Sequence, residues 1–243
     1  MNSRRELMMS YIGQVISLLN LEVDERQVEQ LILFDEFLLN YNEKMNLTRI
    51  VDPLEVAVKH FADSLTVLSY FQLGRNSKVI DIGAGAGFPG IPLAIVRPDL
   101  NMTLLDSLRK RTVYLNELVE HLNLKNVKVV WGRAEDLGHV VDYRERYELA
   151  VARAVAPLNV LAELCLPLIK VGGTFIALKG PKAEAEVSNA ETAIQLVGGQ
   201  LISVIPVILP ILDDHRCLVH VLKKTFTSRT YPRKAGIPER QPL

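Results

Sequence analysis

Residues 78–92 read Lys78-Val-Ile-Asp-Ile-Gly-Ala-Gly-Ala-Gly-Phe-Pro-Gly-Ile-Pro92. Val79, Ile80 and Ile82 form a β-branched run that stops abruptly at glycine, the pattern of a short buried strand. Gly83, Gly85 and Gly87 allow the backbone to turn with positive φ and to approach a ligand with no Cβ in the way. Pro89 and Pro92 suit the first turn of a helix, where a missing N–H costs no hydrogen bond. Strand, glycine turn and helix start together make the nucleotide-binding corner of an open parallel sheet, with the ligand at the carboxyl end of the strand.

A Gly-x-Gly-x-x-Gly match at Gly85, Gly87 and Gly90 would indicate a dinucleotide. The register opposes it. Counted from Gly83, the first glycine after the strand, the third-glycine position holds Phe88. What remains is Asp81 inside the strand followed by Gly83-x-Gly85-x-Gly87, which resembles the first motif of class I S-adenosylmethionine-dependent methyltransferases.

Working outward, residues 3–45 read as helical, with Ser3 capping a first helix and Asp24 with Gln27 opening a second at capping-box spacing. Asp52-Pro53 starts a third helix carrying Val56, Val58, Phe61, Leu65 and Leu68. This predicts an N-terminal helical cap over 1–75, a sheet domain over 76–224 and a C-terminal tail over 225–243. From Lys78 onward strands alternate with helices: strands at 78–82, 102–106, 127–131, 149–153 and 173–178, with helices through about 122, over 158–168 and over 182–196. The last two strands, 200–208 and 216–223, have no helix between them and so form an antiparallel pair. The expected fold is α/β, a Rossmann-like seven-stranded sheet, mostly parallel with one antiparallel strand.

Composition narrows the classes of function. Apolar residues make up 49% and charged residues 23% of the 243, as in ordinary globular proteins. The formal net charge is +0, so a nucleic-acid partner would be held by a local patch. Cys165 and Cys217 are too few for a disulfide framework or a zinc site, and the five histidines show no ligand spacing, so no metal is expected. No apolar run approaches the about 18 residues of a membrane span. The expectation is a cytoplasmic protein with no membrane association. Its apolar stripes can all be satisfied within one chain, so a monomer is expected.

Several side chains stand where the crevice should be. Asp106 ends the second strand, where an acid accepts from ribose hydroxyls or caps the next helix. Ala134 and Glu135 in Gly132-Arg-Ala-Glu-Asp136 either flank an adenine ring or simply complement a helix dipole. Arg153, amid small apolar neighbours, needs a cleft or a carboxylate such as Asp81 or Glu135. Lys179 in Leu178-Lys-Gly180 either overhangs the crevice or is a solvated lysine. No Ser/His/Asp or Cys/His arrangement stands out, which agrees with a nucleophile such as guanine N7, whose lone pair carries no proton to remove. Lys223, Lys224, Arg229, Arg233, Lys234 and Arg240, interleaved with Phe226 and Tyr231, read as a basic tail suited to phosphate or as a solvated edge. The cap holds eleven acids against seven Lys/Arg, so only Lys44, Arg49, Lys59 and His60 around Asn46-Leu-Thr48 cluster suitably for RNA.

Taken together, Asn46-Leu-Thr48, His60 with Asp63-Ser-Leu65, Asp81 through Pro92, Asp106-Ser107 with Lys110, Arg133-Ala-Glu135, Arg153-Ala-Val155, Leu178-Lys-Gly180 and Tyr231-Pro-Arg-Lys-Ala-Gly236 resemble the RsmG family, also called GidB. The resemblance spans nearly the whole chain. It implies a bacterial enzyme that methylates N7 of a guanine in the decoding-centre loop of 16S rRNA, on rRNA or the small ribosomal subunit. It also implies S-adenosylmethionine contacts at Gly83, Phe88, Ala134, Glu135 and Arg153. By position, Asp81, Gly85, Gly87 and Asp106 join the cofactor set, Arg153 and Lys179 the transfer site, and Asn46, Thr48, His60, Lys179, Arg233 and Lys234 the RNA contacts. The competing readings are a methyltransferase for another RNA, a small molecule or a protein, an NAD-dependent oxidoreductase, and a non-catalytic RNA-binding module.

Overall fold

A computed structural model describes residues 3–181 and 183–243. Helices α1 (Arg4–Leu18) and α2 (Glu25–Met45) each begin in a capping box, Ser3 with Glu6 and Asp24 with Gln27. The expected helical run over 3–45 is interrupted after Leu18, where Asn20 takes a φ of 53° and the chain reverses before Asp24. Asp52 caps α3 (Pro53–Glu55), which continues through a π-helical segment, Val56–Ala62, into α4 (Asp63–Tyr70). The expected third helix is therefore present, but its middle is underwound into wider π-helical turns, a deviation that often marks functional sites.

The sheet contains β1 (Lys78–Ile82), β2 (Asn101–Asp106), β3 (Val127–Trp131), β4 (Tyr147–Arg153), β5 (Ile169–Lys179), β6 (Gly199–Leu209) and β7 (Asp214–Lys223). Its order is β3-β2-β1-β4-β5-β7-β6. The first five strands are parallel, and β7 lies antiparallel to both β5 and β6. The order reverses between β1 and β4, so a crevice opens above their carboxyl ends, where Gly83 follows β1 and Arg153 ends β4.

Alternation along the strands divides the core. Val79, Leu104, Leu149 and Val151 point to one face, where α1, α2, the π-helical segment, α5 (Gly90–Val96) and α6 (Arg109–His121) pack on them as a single cluster. The helical cap thus shares one core with the sheet. Ile80, Ile82, Leu105, Ala150 and Ala152 point to the other face, covered by α7 (Ala134–Leu137), α8 (Leu158–Cys165) and α9 (Ala183–Leu196).

The tail departs in part from both readings, a phosphate-binding tail and a solvated edge: Lys224, Arg229, Lys234 and Arg240 are exposed, while two cations are taken inside. Lys223, grouped with it above, is wholly buried at the end of β7. Its Nζ donates to Leu166 O (2.8 Å), Val197 O (3.0 Å) and Thr227 Oγ1, and burial pulls its pKa down to about 8. Arg233 is committed to the buried Glu163, with Nη2 to Oε2 at 2.6 Å and Nε to Oε1 at 2.9 Å. Tyr231 packs on the second core face and Pro238 is buried in α10 (Ile237–Arg240), so the tail folds back along α7 and α8. Apolar burial and charge pairing outweigh the free, extended state that prolines and cations alone imply.

Two carboxylates set the glycine corner. Asp81, fully buried, accepts the Gly90 N–H through Oδ2 (2.8 Å), tying β1 to the start of α5. Its Oδ1 is the sole buried side-chain atom without a partner among the described residues, and burial pushes the Asp81 pKa up to about 7. Gly90 is a packing position and not a third nucleotide-binding glycine, since a Cβ there would lie 2.3 Å from Leu104 Cδ2 and 2.7 Å from Asp81 Oδ2.

Two stability predictions follow from these buried charges. Arg233→Ala strands Glu163 without its counter-ion and should cost roughly 3 kcal/mol, read as a lower denaturant midpoint at unchanged slope. Because the folded pKa of Asp81 lies above its unfolded value of 3.8, its contribution is complete below pH 3.8 and disappears as pH rises to about 7. Asp81→Asn keeps the acceptor for Gly90 and cannot ionise. It should match the wild type near pH 4 and exceed it at pH 8, by on the order of 4 kcal/mol. A stability difference that does not change with pH would refute this.

Candidate active site

Two cavities meet at Gly83. The larger, about 560 Å³, opens over the crevice and is walled by Thr48, His60, Asp63, Phe88, Arg153 and Lys179 among others. The smaller, about 100 Å³, lies on the β2–β3 side against Ser107, Ala134, Glu135 and Val155. Gly83 (φ 73°) lies at their junction, where an added Cβ would stand 2.6 Å from Val155 Cγ2. At Gly87 (φ 100°) it would meet Ile91 at 2.9 Å and Phe34 at 3.2 Å. A side chain at either position would collide with the protein itself, so the corner keeps this path only with glycine.

Asp106 holds the loop from the far side. Its Oδ2 accepts the Gly85 N–H at 2.9 Å and its Oδ1 accepts the Leu108 N–H at 2.8 Å. Asp106 does not cap α6, whose N-cap is Leu108, so the helix-cap reading is not met; Arg111 Nη1 lies 3.6 Å from its Oδ2. Asp81 lines neither cavity; it sits beneath the loop.

The large cavity has a polar wall built on aromatic packing. His60 stacks on Phe88 (4.5 Å between centroids), which stacks in turn on Phe34 of α2 (4.7 Å). The Arg153 guanidinium lies 5.0 Å from the Phe88 ring centre, a cation–π contact. Arg153 does find a carboxylate, but it is Asp63 at the start of α4, at 2.8 Å, and neither Asp81 nor Glu135. Arg153 also donates to the Lys59 carbonyl (3.1 Å) in the π-helical segment, so both partners come from the cap, 90 and 94 residues away in sequence. Arg153 Nη2 lies 3.4 Å from His60 Nδ1. Arginine only donates, so Nδ1 accepts and the imidazole proton sits on Nε2, which donates to Thr48 Oγ1 at 2.9 Å. Burial and the Arg153 charge push the His60 pKa down to about 3, keeping the ring neutral.

Lys179 is neither solvated nor free. Its Nζ donates to the Ala156 carbonyl and to Glu186 Oε2, both at 2.7 Å, while Glu186 Oε2 also accepts the Leu158 N–H (3.0 Å). The pair thereby holds the loop after β4, in which Ala154 has a φ of 55°. Glu135 accepts the Gly236 N–H through Oε1 at 3.1 Å. Asn46 is the left-handed C-cap of α2, exposed near the rim, while Thr48 and His60 line the cavity and Lys234 is exposed on the tail. The sequence reading missed Asp63 as the partner of Arg153, and it missed Trp131, the single tryptophan. Trp131 lies 59% exposed at the end of β3, with the Arg109 guanidinium 5.3 Å from the ring centre. An aromatic closing a strand on the ligand side was the available signal for it.

Among the described residues no three His, Cys, Asp or Glu side chains are placed to share a metal ion, and no helix is long and apolar enough to cross a membrane. The fold is similar to that of a SAM-dependent methyltransferase from Aquifex aeolicus (TM-score 0.55, 20% identity, 74% of this chain and 97% of that one). It is also similar to a predicted O-methyltransferase, Atu636, from Agrobacterium tumefaciens (TM-score 0.53, 18% identity, 67% and 81%). These likenesses speak to the fold. At the level of sequence, proteins named ribosomal RNA small subunit methyltransferase G from Alkaliphilus oremlandii and Desulforamulus reducens are 48% and 44% identical, covering 93% and 96% of this chain and 94% and 97% of theirs. The profile of the GidB family, described as rRNA small subunit methyltransferase G, matches residues 27–209. The chain belongs to the GidB family of S-adenosylmethionine-dependent methyltransferases.

Proposed function

We propose that this protein transfers a methyl group from S-adenosylmethionine to N7 of a guanine in the decoding-centre loop of 16S rRNA. It would act as a cytoplasmic monomer on rRNA or the small ribosomal subunit. The observation that carries the choice of atom is the state of the bases in the large cavity. Both nitrogens of His60 are engaged, one accepting from Arg153 and the other donating to Thr48. Asp63 is bound to Arg153, and Glu186 to Lys179. None of these groups stands ready to take a proton, and guanine N7 has none to give.

The glycine loop fits the cofactor, because Gly83 and Gly85 present bare backbone to the large cavity and Asp106 stands beside them at the end of β2. In this reading Gly83, Gly85, Gly87 and Phe88 would hold its methionine part, Asp106 its ribose, and Ala134 and Glu135 its adenine. Bound S-adenosylmethionine supplies an electrophilic methyl on a sulfonium. Asp63 pairs with Arg153 and Glu186 with Lys179, so two of the cavity's five cations carry their counter-ion inside it; Lys59, Arg111 and Arg216 also line it and suit the phosphates of an RNA. Arg153 orients Phe88 and His60 and thereby acts on geometry more than by proton transfer. Thr48 and His60 would contact the base, and Asn46 and Lys234, with the exposed Trp131–Arg109 stack, would meet the RNA around it. Lys179 and Arg233 support the site by holding the loop after β4 and the tail.

Small-subunit rRNA from cells lacking the gene should accept label from S-adenosylmethionine in the presence of this protein, and borohydride–aniline treatment should cut it at one position in the decoding-centre loop. Label without cleavage would refute N7. Gly83→Val should abolish calorimetric binding of S-adenosylhomocysteine; unchanged affinity would refute the loop assignment.

A further inference from the structure

The tail is not an appendage of the crevice but closes its smaller compartment. Arg144 donates to the carbonyls of Tyr231 (2.9 Å) and Thr227 (2.7 Å), His139 Nε2 lies 2.8 Å from the Pro232 carbonyl oxygen, and Arg233 is paired with Glu163. These contacts bring Gly236 onto Glu135 and place Pro238 and Glu239 in the wall of the about 100 Å³ cavity, with Gly83 and Ala134 also lining it. Glu135 Oε1 is taken by the Gly236 N–H, while no donor among the described residues reaches its Oε2. The cavity thus joins apolar surface from Ile82, Leu105 and Pro238 with carboxylate acceptors at Glu135 and Glu239, a pairing suited to a purine nucleoside bearing amino and hydroxyl donors.

We infer that Pro238 and Glu239 form the outer wall of the compartment that takes the nucleoside of the cofactor, and that tail docking and nucleoside binding stabilise each other through Glu135. The inference rests on the reading of the crevice as the S-adenosylmethionine site. It assigns the tail primarily to the cofactor: Lys223 is interior, and Arg233 is spent on Glu163. Linkage is reciprocal, so whatever binds better to the docked tail also holds the tail down.

The test uses the full chain and two probes, S-adenosylhomocysteine and 5′-methylthioadenosine, the second of which carries the nucleoside without the amino-acid group. Glu239 is exposed, so Glu239→Ala should melt with the wild type; Pro238→Gly is the companion variant. Each should weaken both probes by the same factor, about tenfold, equivalent to ~1.4 kcal/mol. In the wild type, 5′-methylthioadenosine should slow amide exchange over residues 234–241. Equal affinities in wild type and both variants, or a loss confined to S-adenosylhomocysteine, would overturn the inference while leaving the cofactor site standing. So would exchange that ignores the nucleoside. A wild type that binds neither probe would overturn the crevice reading itself.

Discussion

The glycine loop between β1 and α5 is held at both ends by buried carboxylates, and the site depends on that restraint. Asp81 grips the Gly90 N–H and Asp106 grips the Gly85 N–H, so a segment with three positive-φ glycines has one conformation and not many. Glycine loses more conformational entropy on ordering than any other residue, and these two buried hydrogen bonds offset part of that cost. Asp81 does this while one of its oxygens remains unpartnered, which is why burial shifts its titration so far upward.

The second organising feature is the way the helical cap completes the crevice. Phe34 of α2 stacks on Phe88 of the loop, and His60 stacks on the same ring from the π-helical segment. The wider turn there makes the Lys59 carbonyl available to Arg153, and Asp63 one turn on supplies the counter-ion. Cap and sheet therefore build one wall together, and the histidine in it is held neutral with both nitrogens engaged. A wall of this kind positions and screens charge. It suits transfer to an atom that carries no proton.

The opposite side of the crevice is completed by the far end of the chain. Arg233 on Glu163 and the Gly236 contact to Glu135 draw the tail across α7 and α8, so residues more than 100 positions apart share the smaller cavity. Of six cations that resemble a nucleic-acid grip when counted along the chain, Lys223 and Arg233 turn out to be internal fasteners, while Lys224, Arg229, Lys234 and Arg240 stay exposed.

How much of this was legible beforehand follows from the range of each interaction. The β-branched runs, the capping boxes at Ser3 and Asp24, the glycine corner and the helix-free link between the last two strands are local patterns, set by steric preference and hydrogen bonding among near neighbours. They determined a doubly wound sheet with one antiparallel strand and placed Gly83, Asp106 and Arg153 at strand ends. What only the tertiary structure decided was partnership. Asp63 rather than Asp81 or Glu135 faces Arg153, Glu186 takes Lys179, and Glu163 takes Arg233. Those choices depend on which elements meet across the sheet. Charges of one type are interchangeable in a sequence, whereas burial in a particular geometry makes one pairing far more favourable than the rest.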